Sequence, residues 1–77
     1  MTDPTRISRL VSAVRKHLGA NPRAADTLHG IHRWWLGPLA LETHPSELLA
    51  ALEEMVGRGE LTKTVLPDGR EVYTALG

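Results

Sequence analysis

Two histidines and both tryptophans of the chain lie within ten residues, in the stretch HGIHRWWLGP at 29–38. His29 and His32 are three residues apart, a spacing at which two imidazoles can share one helix face and bind a metal ion. A zinc site, however, needs three or four ligands. The chain has no cysteine, and no nearby carboxylate clearly completes the set. We therefore expect no metal site, with His29 on the surface and His32 in a contact between helices.

No other residues form a recognisable catalytic set. Ser8, Ser12 and Ser46 lack the spaced acid and base that mark a serine nucleophile. The sequence GRG at 57–59 indicates the end of a helix rather than a phosphate-binding loop. A chain of 77 residues buries only about 60% of its unfolded surface, which leaves little room for a large internal site. We expect a non-catalytic protein without a cofactor.

The composition predicts a single cytoplasmic domain. The net charge is zero and cysteine is absent, so neither a strongly basic surface nor a disulfide framework is expected. The first residues, MTDPTRISRL, contain no apolar signal-peptide core. The longest apolar stretch, WWLGPLAL, is too short to cross a bilayer. We expect one soluble domain over residues 1–77, with residues 1–5 flexible and no membrane partner.

The zero net charge conceals an asymmetry between the two halves of the chain. Residues 1–38 contain six basic and two acidic side chains, a net charge of +4. Residues 39–77 contain three basic and seven acidic side chains, a net charge of −4. Oppositely charged halves could pair between copies and give a dimer or a head-to-tail array.

The beginning of the chain predicts one amphipathic helix near residues 6–18. Five apolar residues follow the spacing of a single helical face: Ile7, Leu10, Val11, Val14 and Leu18. Asp3 or Thr5 is expected to cap this helix, Gly19 to end it and Pro22 to prevent its continuation. The opposite face is basic and is expected to be solvated; it contains Arg6, Arg9, Arg15 and Lys16.

The remaining chain predicts two further helices, at residues 27–36 and 44–57, and a β-hairpin with strands at residues 61–66 and 71–76. Gly37-Pro38 ends the second helix. In the connector that follows, Leu39 and Leu41 are expected to pack on the core, with a brief strand as an alternative. Pro67-Asp68-Gly69 predicts the hairpin turn, because proline presets φ and glycine supplies a positive φ. The expected core comprises Leu10, Val14, Ile31, Trp35, Leu48, Leu52 and Val56.

Three helices followed by a terminal hairpin resemble a winged helix-turn-helix domain, an α+β fold. The resemblance is closest over residues 43–77, where HPSELLAALEEMVGRGELTKTVLPDGREVYTAL is similar to the third helix and the two-stranded wing of that family. Residues 27–36 resemble its second helix. The connector between these helices is longer than the tight turn usual in the family. The resemblance implies DNA binding, in which a helix enters the major groove.

The placement of charge argues against that docking mode. The third helix is expected to expose Glu47, Glu53 and Glu54 with a single arginine, and such a face would be repelled by phosphate. A protein–protein module, acting as an adaptor or an assembly subunit, therefore fits the sequence better than the alternative, a DNA-binding transcriptional regulator. For that alternative, the candidate nucleic-acid contacts are Arg6, Arg9, Arg15, Lys16, Lys63 and Arg70.

The adjacent tryptophans cannot both face the core of a regular helix. At about 100° per residue, Trp35 falls on the same face as Ile31, whereas Trp34 lies roughly a quarter turn away. Trp34 is therefore expected at the boundary, either packed sideways on the connector or exposed as an anchor for a partner. For the second alternative, the expected partner-binding residues are Trp34, Arg33 and Gly30, since a helix glycine beside an aromatic ring could allow close approach.

Overall fold

The computed structural model describes residues 4–75, which form an α+β fold of helices packed on a three-stranded antiparallel sheet. The elements in chain order are α1 (Pro4–Ala20), β1 (Ala25–Asp26), α2 (Leu28–Gly30), a π-helical turn (Ile31–Trp35), a 3-10 segment (Gly37–Glu42), α3 (Pro45–Gly57), β2 (Leu61–Val65) and β3 (Glu71–Ala75). The predicted helices and hairpin are present, with bounds that differ from the prediction by two residues or fewer at α1, α3 and the strands.

Helix α1 begins and ends two residues outside its predicted range. It starts at Pro4, so Thr5 lies inside the helix and is not its cap; proline suits a first turn because its missing N–H would have no partner there. Asp3, the other predicted cap, lies outside the described residues, as do residues 1–3 of the segment expected to be flexible. Gly19 belongs to the last turn rather than following it.

Strand β1 lies between the first two predicted helices, where the sequence predicts no strand. Ala25 pairs with Thr74 and Asp26 with Tyr73, so the sheet order is β1-β3-β2. Two residues are too few to show the alternation that predicts a strand. The brief strand considered in the connector is wrong, because that segment forms the 3-10 helix Gly37–Glu42.

A reciprocal set of hydrogen bonds fixes the start of α3. The Ser46 N–H donates to His44 Nδ1 at 3.2 Å, and the His44 N–H donates to Glu47 Oε1 at 2.9 Å. Pro45 occupies the first helical position. These bonds satisfy amide groups that a helix start otherwise leaves without partners, so the helix is held at the end of the long connector.

The core lies where α1, the π-helical turn, α3 and the sheet meet. Its buried side chains are Leu10, Val11, Val14, Ile31, Trp35, Leu36, Leu48, Ala51, Leu52, Met55, Leu61 and Tyr73. Six of the seven predicted core residues are among them. The seventh, Val56, is only partly buried, and Met55 and Ala51 complete the inward face of α3 instead.

The π-helical turn buries Trp35 together with two aliphatic side chains. In π-helical geometry residues five apart are joined by a hydrogen bond, which brings Leu36 onto the side of Ile31, and both are buried. Trp35 is 7% exposed and stacks on His17 of α1, with ring centroids 4.5 Å apart and planes 16° apart. The predicted burial of Trp35 is confirmed, although the turn is wider than the regular helix assumed.

Replacing Trp35 by alanine should destabilise the fold severely. Deletion of a buried tryptophan costs about 3–5 kcal/mol, a large part of the roughly 5–15 kcal/mol that stabilises an ordinary domain. Urea denaturation followed by circular dichroism gives the measurement. The matched control is Trp34→Ala, which removes the same side chain one residue away from an exposed position. Equal losses of stability in the two variants would contradict this assignment of the core.

Candidate functional site

Trp34 is the largest exposed aromatic side chain among the described residues. It is 68% exposed, and the Arg33 guanidinium carbon lies 5.2 Å from the centroid of its ring. This distance is within the range of a cation–π interaction. Of the two alternatives raised by the sequence, the structure supports exposure, because a ring packed sideways on the connector would be covered. Trp34 and Arg33 thus form one exposed unit, named here the Trp34 patch.

Gly30 has an explanation inside the chain. It is buried, and a Cβ at this position would collide with the carboxylate of Asp26. That carboxylate accepts a hydrogen bond from the Thr27 N–H at 2.8 Å, and the Thr27 hydroxyl accepts one from the Gly30 N–H at 3.2 Å. The glycine therefore makes room for the cap at the start of α2, and it does not add an exposed surface to the Trp34 patch.

The two histidines of the helix have separate environments. His32 donates from Nε2 to the Thr43 carbonyl oxygen at 2.6 Å, and Thr43 in turn donates from Oγ1 to the Leu39 carbonyl at 2.6 Å. His32 thus connects the π-helical turn to the end of the connector, rather than joining two helices as the sequence predicted. His29 is exposed. Within residues 4–75, no three histidine or acidic side chains come together in a group that could bind a metal ion.

The opposite charges of the two halves meet within a single molecule. Arg6 Nε lies 3.0 Å from Glu47 Oε2, and Arg6 also donates to the Glu42 carbonyl oxygen. Arg9 lies 3.8 Å from the Glu42 carboxylate. Arg6 and Arg9 of α1 are thus already adjacent to carboxylates of residues 39–77, so part of the charge asymmetry is used within one molecule.

Arg15 and Glu60 form the best-aligned of these ion pairs. Arg15 Nε donates to Glu60 Oε1 at 2.6 Å, and its terminal nitrogen donates to Oε2 at 2.7 Å. These two parallel hydrogen bonds hold the pKa of Glu60 below its usual value, with a smaller contribution from the positive charge itself. The pair joins the basic face of α1 to the residue before β2.

The cations of the β2–β3 hairpin are also paired. Lys63 Nζ lies 3.3 Å from Glu71 across the hairpin, and Arg70 Nε lies 2.7 Å from Asp68 in its turn. Of the six candidate nucleic-acid contacts, Lys16 alone makes no ion pair within residues 4–75. On α3, Glu53 and Glu54 are exposed, as expected. Five of the six candidate cations therefore already have an acidic partner within the described chain.

A second candidate surface is a groove of about 1150 Å³ between α1 and the 3-10 segment. It is named here the α1 groove. Ser8, Ser12 and Lys16 line it from α1, and Trp35, Leu39 and Leu41 are among the residues that line it from the other side. The sequence predicted Leu41 to pack on the core, and this is wrong: Leu41 is 95% exposed. In a 3-10 helix residues three apart share a face, so Leu36 and Leu39 turn inward together and Leu41 does not.

No family model, curated protein or solved structure matches this chain. Among the described residues, none of the helices combines the length and the apolar character needed to cross a membrane. The two surfaces and the distribution of charge are therefore the features of the molecule that bear on its function.

The Arg15–Glu60 pair should make stability depend on pH. The pKa of Glu60 is lowered in the folded state, so the pair stabilises the protein above the unfolded pKa of about 4.3, and this contribution is lost as the pH falls through the lowered value. Glu60→Gln should therefore lower the melting temperature at about pH 7 and leave it nearly unchanged at about pH 2, measured by thermal circular dichroism.

Glu53→Gln is the control for this experiment. Glu53 is exposed and makes no ion pair within residues 4–75. Its replacement should change the melting temperature little at either pH. A loss of the same size at both pH values in Glu60→Gln would show that the carboxylate charge is not what stabilises this contact.

Proposed function

We propose that this protein is a small non-catalytic winged-helix module that acts by binding another protein, as an adaptor or an assembly subunit. The winged-helix assignment is supported by the order of elements, in which β1 lies between α1 and α2 and pairs with the terminal hairpin. The proposal for function is carried by one observation, the 68% exposure of Trp34.

An exposed tryptophan beside an arginine is a typical centre for a protein interface. Aromatic side chains bury about 150–250 Å² when they are covered, and tryptophan and arginine are enriched among the residues that dominate binding energy. Arg33 over the ring of Trp34 places both residue types in one patch. The patch lies on a turn that Trp35 anchors in the core, so it is presented by a rigid support.

The alternative, a DNA-binding regulator, is favoured by the winged-helix architecture alone. Electrostatic contact with phosphates supplies most of the affinity of such proteins. Here Arg6, Arg9 and Arg15 are next to carboxylates of the same molecule, and phosphate would have to displace those partners. The exposed face of α3 adds two further carboxylates, of Glu53 and Glu54. This distribution favours a protein partner.

Trp34→Ala should weaken binding without affecting the fold. Loss of an interface centre costs about 2 kcal/mol or more, roughly a 30-fold loss of affinity, whereas removing an exposed side chain should leave the melting temperature nearly unchanged. Quantitative pull-down from the native host with wild-type and variant protein gives the measurement, with melting curves of both. Val65→Ala is the matched control, since Val65 is 62% exposed on the wing. Retention of the same proteins by wild type and Trp34→Ala would reject the Trp34 patch.

Duplex DNA should bind only weakly. We expect a dissociation constant no tighter than about 10⁻⁵ M at physiological salt, near the weak side of non-specific binding. Fluorescence anisotropy with a labelled mixed-sequence duplex, repeated at several salt concentrations, gives the measurement. Submicromolar affinity with a steep dependence on salt would instead support the regulator, and Lys16→Ala would then be the first variant to examine.

A further inference from the structure

The α1 groove is elongated and follows the first helix. Its lining follows one face of α1 from Thr5 to Asn21, a distance of about 24 Å at 1.5 Å per residue. The 3-10 segment Gly37–Glu42 forms its other side. Trp34 does not line it, so this groove and the Trp34 patch are separate surfaces.

The shape and chemistry of the groove suit a helix. On α1 its lining includes the small side chains of Ser8, Ser12 and Ala13, which allow the axes of two helices to approach closely. Across from them, Leu41 is 95% exposed and offers an apolar side chain with no neighbour to cover it. Neither long strand, β2 or β3, contributes a residue to the lining, so the groove offers no strand for an extended peptide to join.

The charges of the groove determine which helix would fit. Three charged side chains line it, those of Arg9, Lys16 and Glu42. Arg9 and Glu42 lie 3.8 Å apart and largely offset one another. Lys16 makes no ion pair within the described chain, so the groove retains one positive charge beside apolar surface. Its complement is an apolar face that includes a carboxylate.

We propose that the α1 groove binds an amphipathic helix of another protein, whose apolar residues at i, i+3 or i+4, and i+7 pack against Leu39 and Leu41 and whose Asp or Glu pairs with Lys16. Helices bound in grooves use this spacing, because it places the anchoring residues on one face. The inference rests on the proposed protein-binding function and specifies the class of partner.

Selection from a peptide library provides the test. The probe is a phage-displayed library of helix-forming peptides of about 16 residues, a length that matches the groove at 1.5 Å per residue. The full-length protein and its Lys16→Glu variant serve as targets. Against wild type, the enriched peptides should share the apolar spacing and an acidic residue. Against Lys16→Glu, a basic residue should replace the acidic one.

Affinities of the enriched consensus peptide locate its binding site. Calorimetry should show a loss of about tenfold or more in Lys16→Glu, and a comparable loss in Leu41→Asp, both of which alter exposed residues. Lys63→Glu is the charge control, because Lys63 lies on β2 outside the groove, and it should bind the peptide as wild type does.

Any one of four results would overturn this inference. The first is a consensus that is basic or lacks the apolar spacing, and the second is a consensus peptide whose affinity Lys16→Glu and Leu41→Asp leave unchanged. The third is a dimer in analytical ultracentrifugation that Leu41→Asp dissociates, since the occupant would then be a second copy. The fourth is a host protein whose capture depends on Trp34 and is not weakened by the groove variants. This result would reject the groove and leave the proposed function in place. Loss of that Trp34 dependence would reject the proposed function itself.

Discussion

The burial of Trp35 is the constraint on which the other features depend. Its ring stacks on His17 of α1, so it fixes the π-helical turn against the first helix. Because the turn is held in this way, Trp34 must face outward, and the chain after Leu36 must run back along α1 as a 3-10 segment. The same side chain contributes to the lining of the α1 groove. One packing contact thus positions both candidate binding surfaces.

The internal ion pairs explain how the opposite charges of the two halves partly neutralise one another within a single molecule. Arg6 and Arg15 of α1 contact Glu47 and Glu60, which lie at least 40 residues further along the chain. Exposed ion pairs of this kind contribute little to stability. Their larger effect is on the charge of the surface. Each pairing leaves a locally neutral contact in place of a cation that could bind phosphate. The remaining distinctive features of the surface are apolar.

The long, strongly patterned elements could be predicted from the sequence, and the short ones could not. Helix α3 has a proline at its start and a clear apolar stripe, and Pro67-Asp68-Gly69 marks the hairpin turn. Strand β1 has only two residues and depends on pairing with β3, which lies almost 50 residues later. The π-helical turn has no distinctive pattern, and for that reason the burial of Leu36 was not predicted. Of the candidate site, the sequence raised exposure of Trp34 as one of two alternatives, and the structure supports that one.

The α1 groove and the role of Gly30 could be found only in three dimensions. The groove depends on a 3-10 segment that turns Leu41 outward, whereas an apolar connector is ordinarily expected to pack inward. A Cβ at Gly30 would collide with the Asp26 carboxylate, and Asp26 belongs to the strand that pairs with β3. Neither the outward turn of Leu41 nor the close contact between Gly30 and Asp26 leaves a recognisable pattern in the sequence.

Site-specific photo-crosslinking in the native host directly tests whether Trp34 contacts a partner protein. A photoreactive aromatic amino acid that replaces Trp34 keeps an aromatic ring at the exposed position. The same photoreactive amino acid in place of Val65 on strand β2 serves as the comparison. The account predicts a discrete protein adduct from position 34 that is absent from position 65. Adducts with DNA, or the same protein adducts from both positions, would contradict it.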